Sequence, residues 1–434
     1  MMAINLKILS KVSLRVNFTR EIHHSCKILV VGGGTAGCTM AAKLSKNYPN
    51  PPNHIIVLEP SEIHYYQPLF TLIGGGLSKF DSSKKSTSEV LPKKAQWIKD
   101  SAMSFDPEAN KVTTSNGVTI EYQLMIIAMG LQLHWDKIPG LVESLKNPES
   151  QVCSIYGPET VTEVFRKIKR TSNGPCIFTF PNSPVKCPGA PQKIAYLAED
   201  YWSKENKRKN VEVIYNTALP VIFGVKKYAD ALWEVCKSRN IIVNTQMSLV
   251  QVRDKEAVFV DLKNPDVKIY SFLHVTPPMG PPETLKKHQS LTNEAGFLNV
   301  DPKTLQHVKY KNIYGLGDCT TTPNSKTMAA IASQSKVVHN HVLSFLNGKK
   351  SNLEYNGYAS CPLVTGPGKC ILAEFDYNLQ PLETFPVDQK NEYWAMFIMK
   401  KYMFPFLYWN FMLKGQWSGP EFIRKSLAIF KSNK

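Results

Sequence analysis

None of the nine cysteines stands in a Cys-x-x-Cys pair. That absence argues against structural zinc and against the disulfide framework of a small secreted domain. No spacing of metal ligands is found, so no metal site is expected. No stretch reaches the roughly 18 consecutive apolar residues of a membrane-spanning helix. Acids are scarce: 35 Asp and Glu stand against 52 Lys and Arg, a formal net charge of +17. Such a balance suggests a nucleic acid, an anionic membrane or an anionic substrate. With no RNA-binding signature and no zinc-finger spacing, nucleic acid is not expected. Before Glu21 there is no acid at all, while Lys7, Lys11, Arg15 and Arg20 recur among apolar residues. An acid-poor, Arg-bearing amphipathic start reads as a mitochondrial targeting peptide over residues 1–25.

What is present first is a dinucleotide site. The apolar run Lys27-Ile28-Leu29-Val30-Val31 leads into Gly32-Gly33-Gly34-Thr35-Ala36-Gly37, a G-x-G-x-x-G spacing followed by a helical pattern. Gly32 permits the tight turn, Gly34 admits the pyrophosphate, and Gly37 lets helix and strand approach. The N–H groups of Thr35 and Ala36 point at the phosphates from the helix N-terminus. Ile55–Leu58 is the next strand and ends at Glu59, an acid placed for the adenosine ribose. Residues 122–130, a strand running into Gly130, resemble the crossover that closes the first half of FAD domains. Residues 311–318, ending Gly315-Leu316-Gly317-Asp318, resemble the late strand whose aspartate holds the ribityl chain. FAD is therefore the expected cofactor.

A second α/β unit is expected between them, over 150–285. Its strand Ile177–Phe180 leads where a flavin reductase carries a second glycine loop for NAD(P)H. Here the loop is Pro181-Asn182-Ser183-Pro184-Val185-Lys186-Cys187-Pro188-Gly189-Ala190-Pro191. Its prolines lack N–H donors and suit phosphate poorly. Cys187 at the mouth of such a turn is a candidate redox thiol, with Lys186 as a cation that favours anions beside it. Cys361, in the loop-like Ser360-Cys361-Pro362, is a second candidate, and Cys370 a rival. Free cysteine is most often a buried core residue, which is the ordinary reading for the others.

The fold class is α/β. Two Rossmann-like dinucleotide-binding domains are expected, with the second inserted into an FAD domain, plus a C-terminal membrane-associating segment. The ranges are 26–149 and 286–345 for the FAD domain, 150–285 for the insert and 346–434 for the C-terminal region. Between Tyr393 and Trp417 there are ten aromatics, interleaved with Lys400, Lys401 and Lys414. Pro405 is expected to divide this run into two segments. Aromatic and lysine-rich stretches of this kind lie in membrane interfaces, which suggests a lipid-soluble electron acceptor.

These segments together resemble the eukaryotic mitochondrial sulfide:quinone oxidoreductases, over about residues 26–425. The specific parts are His64-Tyr65-Tyr66-Gln67-Pro68, residues 184–193 around Cys187, His274-Val275-Thr276-Pro277-Pro278-Met279, Gly317-Asp318-Cys319-Thr320, residues 360–366 around Cys361, and Pro405-Phe406-Leu407-Tyr408-Trp409-Asn410. Met129, where such flavoproteins often carry a small or hydroxyl residue, and Pro188 depart from the pattern. The resemblance implies that Cys187 and Cys361 are the redox pair, oxidising hydrogen sulfide through a persulfide on Cys361. It implies FAD contacts at Thr35, Ala36, Glu59, Gln67, the backbone of Ala102, and Asp318. It further implies glutathione or sulfite as sulfur acceptor, ubiquinone as electron acceptor, and peripheral attachment to the inner mitochondrial membrane. Phe406 and Tyr408 are then candidates for the quinone pocket. The alternatives are a type II NADH:quinone oxidoreductase, which needs a phosphate loop at 181–191, and a non-enzymatic flavoprotein interaction module.

Overall fold

The computed structural model describes residues 23–47, 54–261 and 264–432. The targeting peptide expected over 1–25 lies outside the described residues as far as residue 22. Residues 23–25 already belong to the first strand, β1 (His23–Val31), which opens on the helix α1 (Thr35–Ser45) and continues into β2 (Ile55–Leu58). Ile28 to Val31 are buried on both faces, as a strand at the centre of a parallel sheet must be. On one side β1 pairs in parallel with β2, and on the other with β3 (Thr119–Ile127). Residues 96–98 extend the sheet beyond β2, and an antiparallel hairpin of residues 102–106 and 111–114 extends it beyond β3.

The chain then leaves for a second sheet. All its pairings are parallel, in the order 152–153, 272–274, β4 (Gly174–Phe180), β5 (Val211–Thr217) and 242–244. Between β4 and β5 runs the helix α2 (Ala190–Lys204), buried along Ile194, Ala195, Leu197, Ala198 and Trp202. The way out and the way back meet in a short antiparallel pair, Gln132–Leu133 with Met279–Gly280. The strand β6 (Ile313–Gly315) then returns to the first sheet beside β3. A 19-residue helix, α3 (Met328–Leu346), follows and packs on α1. The arrangement is the α/β architecture, with two Rossmann-like sheets, that the sequence predicts.

Two findings differ from the sequence reading. Cys361 lies on a strand, not a loop: β7 (Ala359–Gly366) pairs antiparallel with β8 (Lys369–Phe375), Cys361 opposite Ala373. Pro362 is tolerated there because a two-stranded sheet consists only of edges. Nor does Pro405 divide the aromatic run. Residues 394–412 form one helical stretch in which α-helical turns alternate with wider π-helical ones, Met399–Met403 and Tyr408–Met412. The wide turn ahead of Pro405 accommodates a residue with no N–H and a bulky ring. No helix among the described residues is long and apolar enough to cross a membrane.

Candidate active site

The strand ends of the first sheet and the N-terminus of α1 open on a cavity of about 550 Å³. Gly32 has φ +100°, and a side chain there would strike the Ala128 carbonyl. At Gly37 a Cβ would fall 1.7 Å from the Gly32 oxygen, so only glycine lets α1 close on the loop. At Gly34 a Cβ would meet nothing within 4 Å, because that part of the loop faces open space. Gly32, Gly34, Thr35, Ala36 and Glu59 line the cavity. Glu59 accepts from the N–H of Gly33 at 2.6 Å and of Ser61 at 2.7 Å, which fixes its carboxylate at the rim.

Farther along, Gln67, Lys186 and Asp318 join the wall. Lys186 donates to the Gln67 side-chain oxygen at 2.6 Å. Burial lowers its ammonium to about 8, and the Asp318 charge opposes that shift. Burial raises the Asp318 carboxyl, against the cations of Lys326 and Lys186. Lys326 is spent on the carbonyls of Thr320 and Thr322. Of the residues expected to hold FAD, Gly37 and Ala102 are off the wall. Gly37 packs under the loop, and Ala102 is buried on the outer hairpin.

The two thiols meet beside this cavity. Cys187 Sγ lies 3.6 Å from Cys361 Sγ, although 174 residues separate them. Cys187 reaches the cavity, while Cys361 is fully buried behind it. The Cys187 backbone has φ +52°, a conformation that side chains other than glycine rarely adopt. Its N–H donates to the Lys326 carbonyl at 2.7 Å, and its carbonyl accepts from Ala190 N–H, which begins α2. Gly189 packs on Cys361: a Cβ there would come within 2.7 Å of Cys361 Sγ.

The cation at the thiols is Lys193, not Lys186. Its ammonium, buried on α2, donates to Cys187 Sγ at 3.2 Å and lies 3.8 Å from Cys361 Sγ. The Cys187 thiol is held well below its ordinary range, first by the hydrogen bond from Cys361, then by Lys193 and Lys400 against the effect of burial. Cys361 is pushed well above that range by the same bond, by burial and by the Cys187 charge. Lys193 is pushed up by both sulfurs against burial. Lys400, also buried, donates to the Pro68 carbonyl at 2.7 Å, and burial lowers it to about 8. Cys370 is buried too; its thiol bonds its own strand at Ile371 O, and burial pushes it up to about 12.

The C-terminal helical stretch closes the cavity. Met403, Phe404, Leu407, Tyr408 and Met412 face inward. Trp394, Tyr402, Phe406 and Phe411 are exposed on the outside. The two candidate quinone residues therefore part company: Tyr408 is 1% exposed and on the wall, whereas Phe406 is 57% exposed and off it.

Residues 26–163 match the pyridine nucleotide-disulphide oxidoreductase family. A mouse protein named mitochondrial sulfide:quinone oxidoreductase is 47% identical over 404 residues, covering 92% of this chain and 89% of its own. This chain belongs to the sulfide:quinone oxidoreductase family. Among solved structures, the sulfide:quinone oxidoreductase of Aquifex aeolicus superposes with a TM-score of 0.77 at 22% identity, covering 94% of this chain and 95% of that one. A chain in the Tetrahymena thermophila mitochondrial ATP synthase shares the fold as well, at TM-score 0.82 and 23% identity over 92% of this chain and 98% of that one. Sulfide:quinone oxidoreductases are FAD-dependent flavoproteins, and the cavity of this member fits FAD. Its glycine loop leaves room for phosphate, the Glu59 carboxylate lies beside that loop, and Asp318 and the capped N-terminus of α3 line the cavity as well. Its volume lies within the usual range of cofactor sites.

Proposed function

We propose that this protein oxidises hydrosulfide at Cys187 and Cys361 and passes the electron pair through FAD to ubiquinone at the inner mitochondrial membrane. The observation that carries this reading is the pair of sulfurs 3.6 Å apart, with the Lys193 ammonium beside both and Cys187 on the wall of the FAD cavity. The name of the mouse relative supports the substrates and the compartment.

In the oxidised enzyme the two cysteines form a bridge, and hydrosulfide attacks it. One S–S bond forms and one breaks: Cys361 keeps the incoming sulfur as a persulfide and Cys187 leaves as a thiolate. The thiol with the lowered pKa is the better leaving group, and Cys187 is that thiol. Lys193 stabilises its negative charge through a charge-assisted hydrogen bond. Burial of Cys361 keeps the persulfide away from bulk solvent. Glutathione or sulfite then takes the outer sulfur and frees Cys361 as a thiolate. The two thiolates re-form the bridge and give up two electrons. FAD held in this cavity would supply the two-electron acceptor for that pair and the link to the quinone. The exposed aromatic face of residues 394–412, with Lys401 and Lys414, lies against the membrane and gives the quinone its approach.

The test is anaerobic flavin absorbance of the FAD-loaded protein on adding sulfide, and separately NADH, with Cys187→Ser and Cys361→Ser alongside. Sulfide bleaches the wild-type flavin, a quinone restores it, and neither variant responds. Bleaching by NADH with no response to sulfide overturns the reading.

A further inference from the structure

Tyr408 carries a contact that none of this chemistry uses. Its hydroxyl lies 2.8 Å from Thr35 Oγ1 and 2.6 Å from His64 Nε2. Thr35 is the first residue of α1 and lines the cavity where the phosphates of FAD belong. His64 is buried, and its other nitrogen, Nδ1, lies 3.2 Å from the carbonyl of Gly33, inside the glycine loop. The Cys38 thiol donates to that same carbonyl at 2.9 Å.

The direction of these bonds follows from protonation. Burial lowers His64 to about 4, so the ring is neutral and carries one proton. The Gly33 carbonyl can only accept, so Nδ1 holds the proton and Nε2 accepts from Tyr408. The Tyr408 oxygen is then left to accept from the Thr35 hydroxyl. The chain runs Thr35 to Tyr408 to His64 to Gly33, and it begins and ends on the same phosphate loop. Rings hold Tyr408 in place: Tyr66 lies against it, tilted by 39°, at 4.4 Å between centroids and Trp409 meets it edge-on at 5.0 Å.

We propose that Tyr408 latches the phosphate loop to the C-terminal helix, so that FAD binding and the seating of that helix are one coupled equilibrium. A ligand that orders the loop strengthens the latch, and a seated helix pre-shapes the loop; by linkage each tightens the other by the same factor. The exposed rings of the same helix point outward, so whatever occupies that face also biases retention of the cofactor. This rests on the FAD reading of the cavity.

The experiment uses the full chain, stripped of FAD and reloaded. Two quantities are measured: the FAD dissociation constant from flavin fluorescence, and the rate of tryptic cleavage after Lys401 and Lys414 with and without saturating FAD. Wild type binds FAD, and FAD slows the cleavage. Tyr408→Phe keeps the ring and loses the hydroxyl, which leaves the buried His64 and the half-buried Thr35 without that partner. It is expected to weaken FAD binding about 10-fold or more and to shrink the protection given by saturating FAD. Thr35→Val breaks the latch from the loop side. It gives the same loss, and the double variant loses no more than either single one. Thr35→Ser, which keeps the hydroxyl, restores both quantities. Wild-type affinity in Tyr408→Phe overturns the proposal, as does weaker FAD binding with undiminished protection. Failure of the wild type to bind FAD overturns the cofactor reading instead.

Discussion

The hydrogen bond between the two thiols, assisted by the Lys193 ammonium, decides which sulfur carries negative charge. Lys193 bonds Cys187 more closely than Cys361, and the two thiols shift in opposite directions. A lowered pKa means that the Cys187 thiolate survives as pH falls below the usual thiol range, near 8.5. Lys193→Met removes the charge and raises that pKa. Alkylation of the reduced protein by iodoacetamide at pH 7 should then slow about 10-fold or more, since each unit of pKa is a factor of ten in thiolate below the pKa. An unchanged rate would show that Cys361 and Lys400 set the thiolate without Lys193. The sequence pointed to Lys186 because it adjoins Cys187, but on a turn adjacency sends two side chains in different directions. Lys193 was legible only as a lysine among the apolar residues of a helix, where a buried charge needs a partner. Cys187 itself needed no structure to be singled out. That its backbone is held at φ +52° did, and such strain, costing on the order of 1–3 kcal/mol, is concentrated at reacting groups.

The C-terminal helix presents two faces with different tasks, and sequence showed only that both are aromatic. Two residues apart on a helix, Tyr408 and Phe406 face nearly opposite ways, but period alone does not say which points in, because the π-helical turns on either side shift the phase along the stretch. Cys361 illustrates the same limit: a proline beside it reads as a loop, and only the pairing of β7 with β8 shows an edge strand. The glycine loop was legible throughout, because Gly32 and Gly37 answer local backbone demands and Gly34 leaves open space beside them. On the proposed membrane contact, a charge on the outer face should weaken docking without touching the cavity. Phe406→Glu and Trp394→Glu are each expected to cut binding to anionic lipid vesicles about 10-fold or more, given 1.5–3 kcal/mol for a buried aromatic ring and an added carboxylate. Co-sedimentation measures it, with FAD content as the control. Binding unaffected by both variants would remove this face from the interface.

At the scale of the whole molecule, the charge excess hides a set of buried neutral imidazoles. Burial lowers His64 to about 4 and His274 to about 3. Their folded values lie below the unfolded one of about 6.5, so the unfolded chain takes up protons first. The stability they contribute is complete above pH 6.5 and is lost as pH falls toward 4. The thermal midpoint of the FAD-loaded protein should drop steadily across that window, and His274→Gln should flatten the drop; a midpoint constant from pH 6.5 to 4 would contradict this. The same scale gives the Thr35–Tyr408 contact a further meaning. Its partners are 373 residues apart. At the usual 5–20 residues per second of synthesis, roughly 20 to 75 seconds separate the appearance of the phosphate loop from that of the tyrosine that closes it. A nascent chain therefore spends most of its synthesis with the cofactor pocket missing a wall, and flavin supplied early meets a pocket still open on that side.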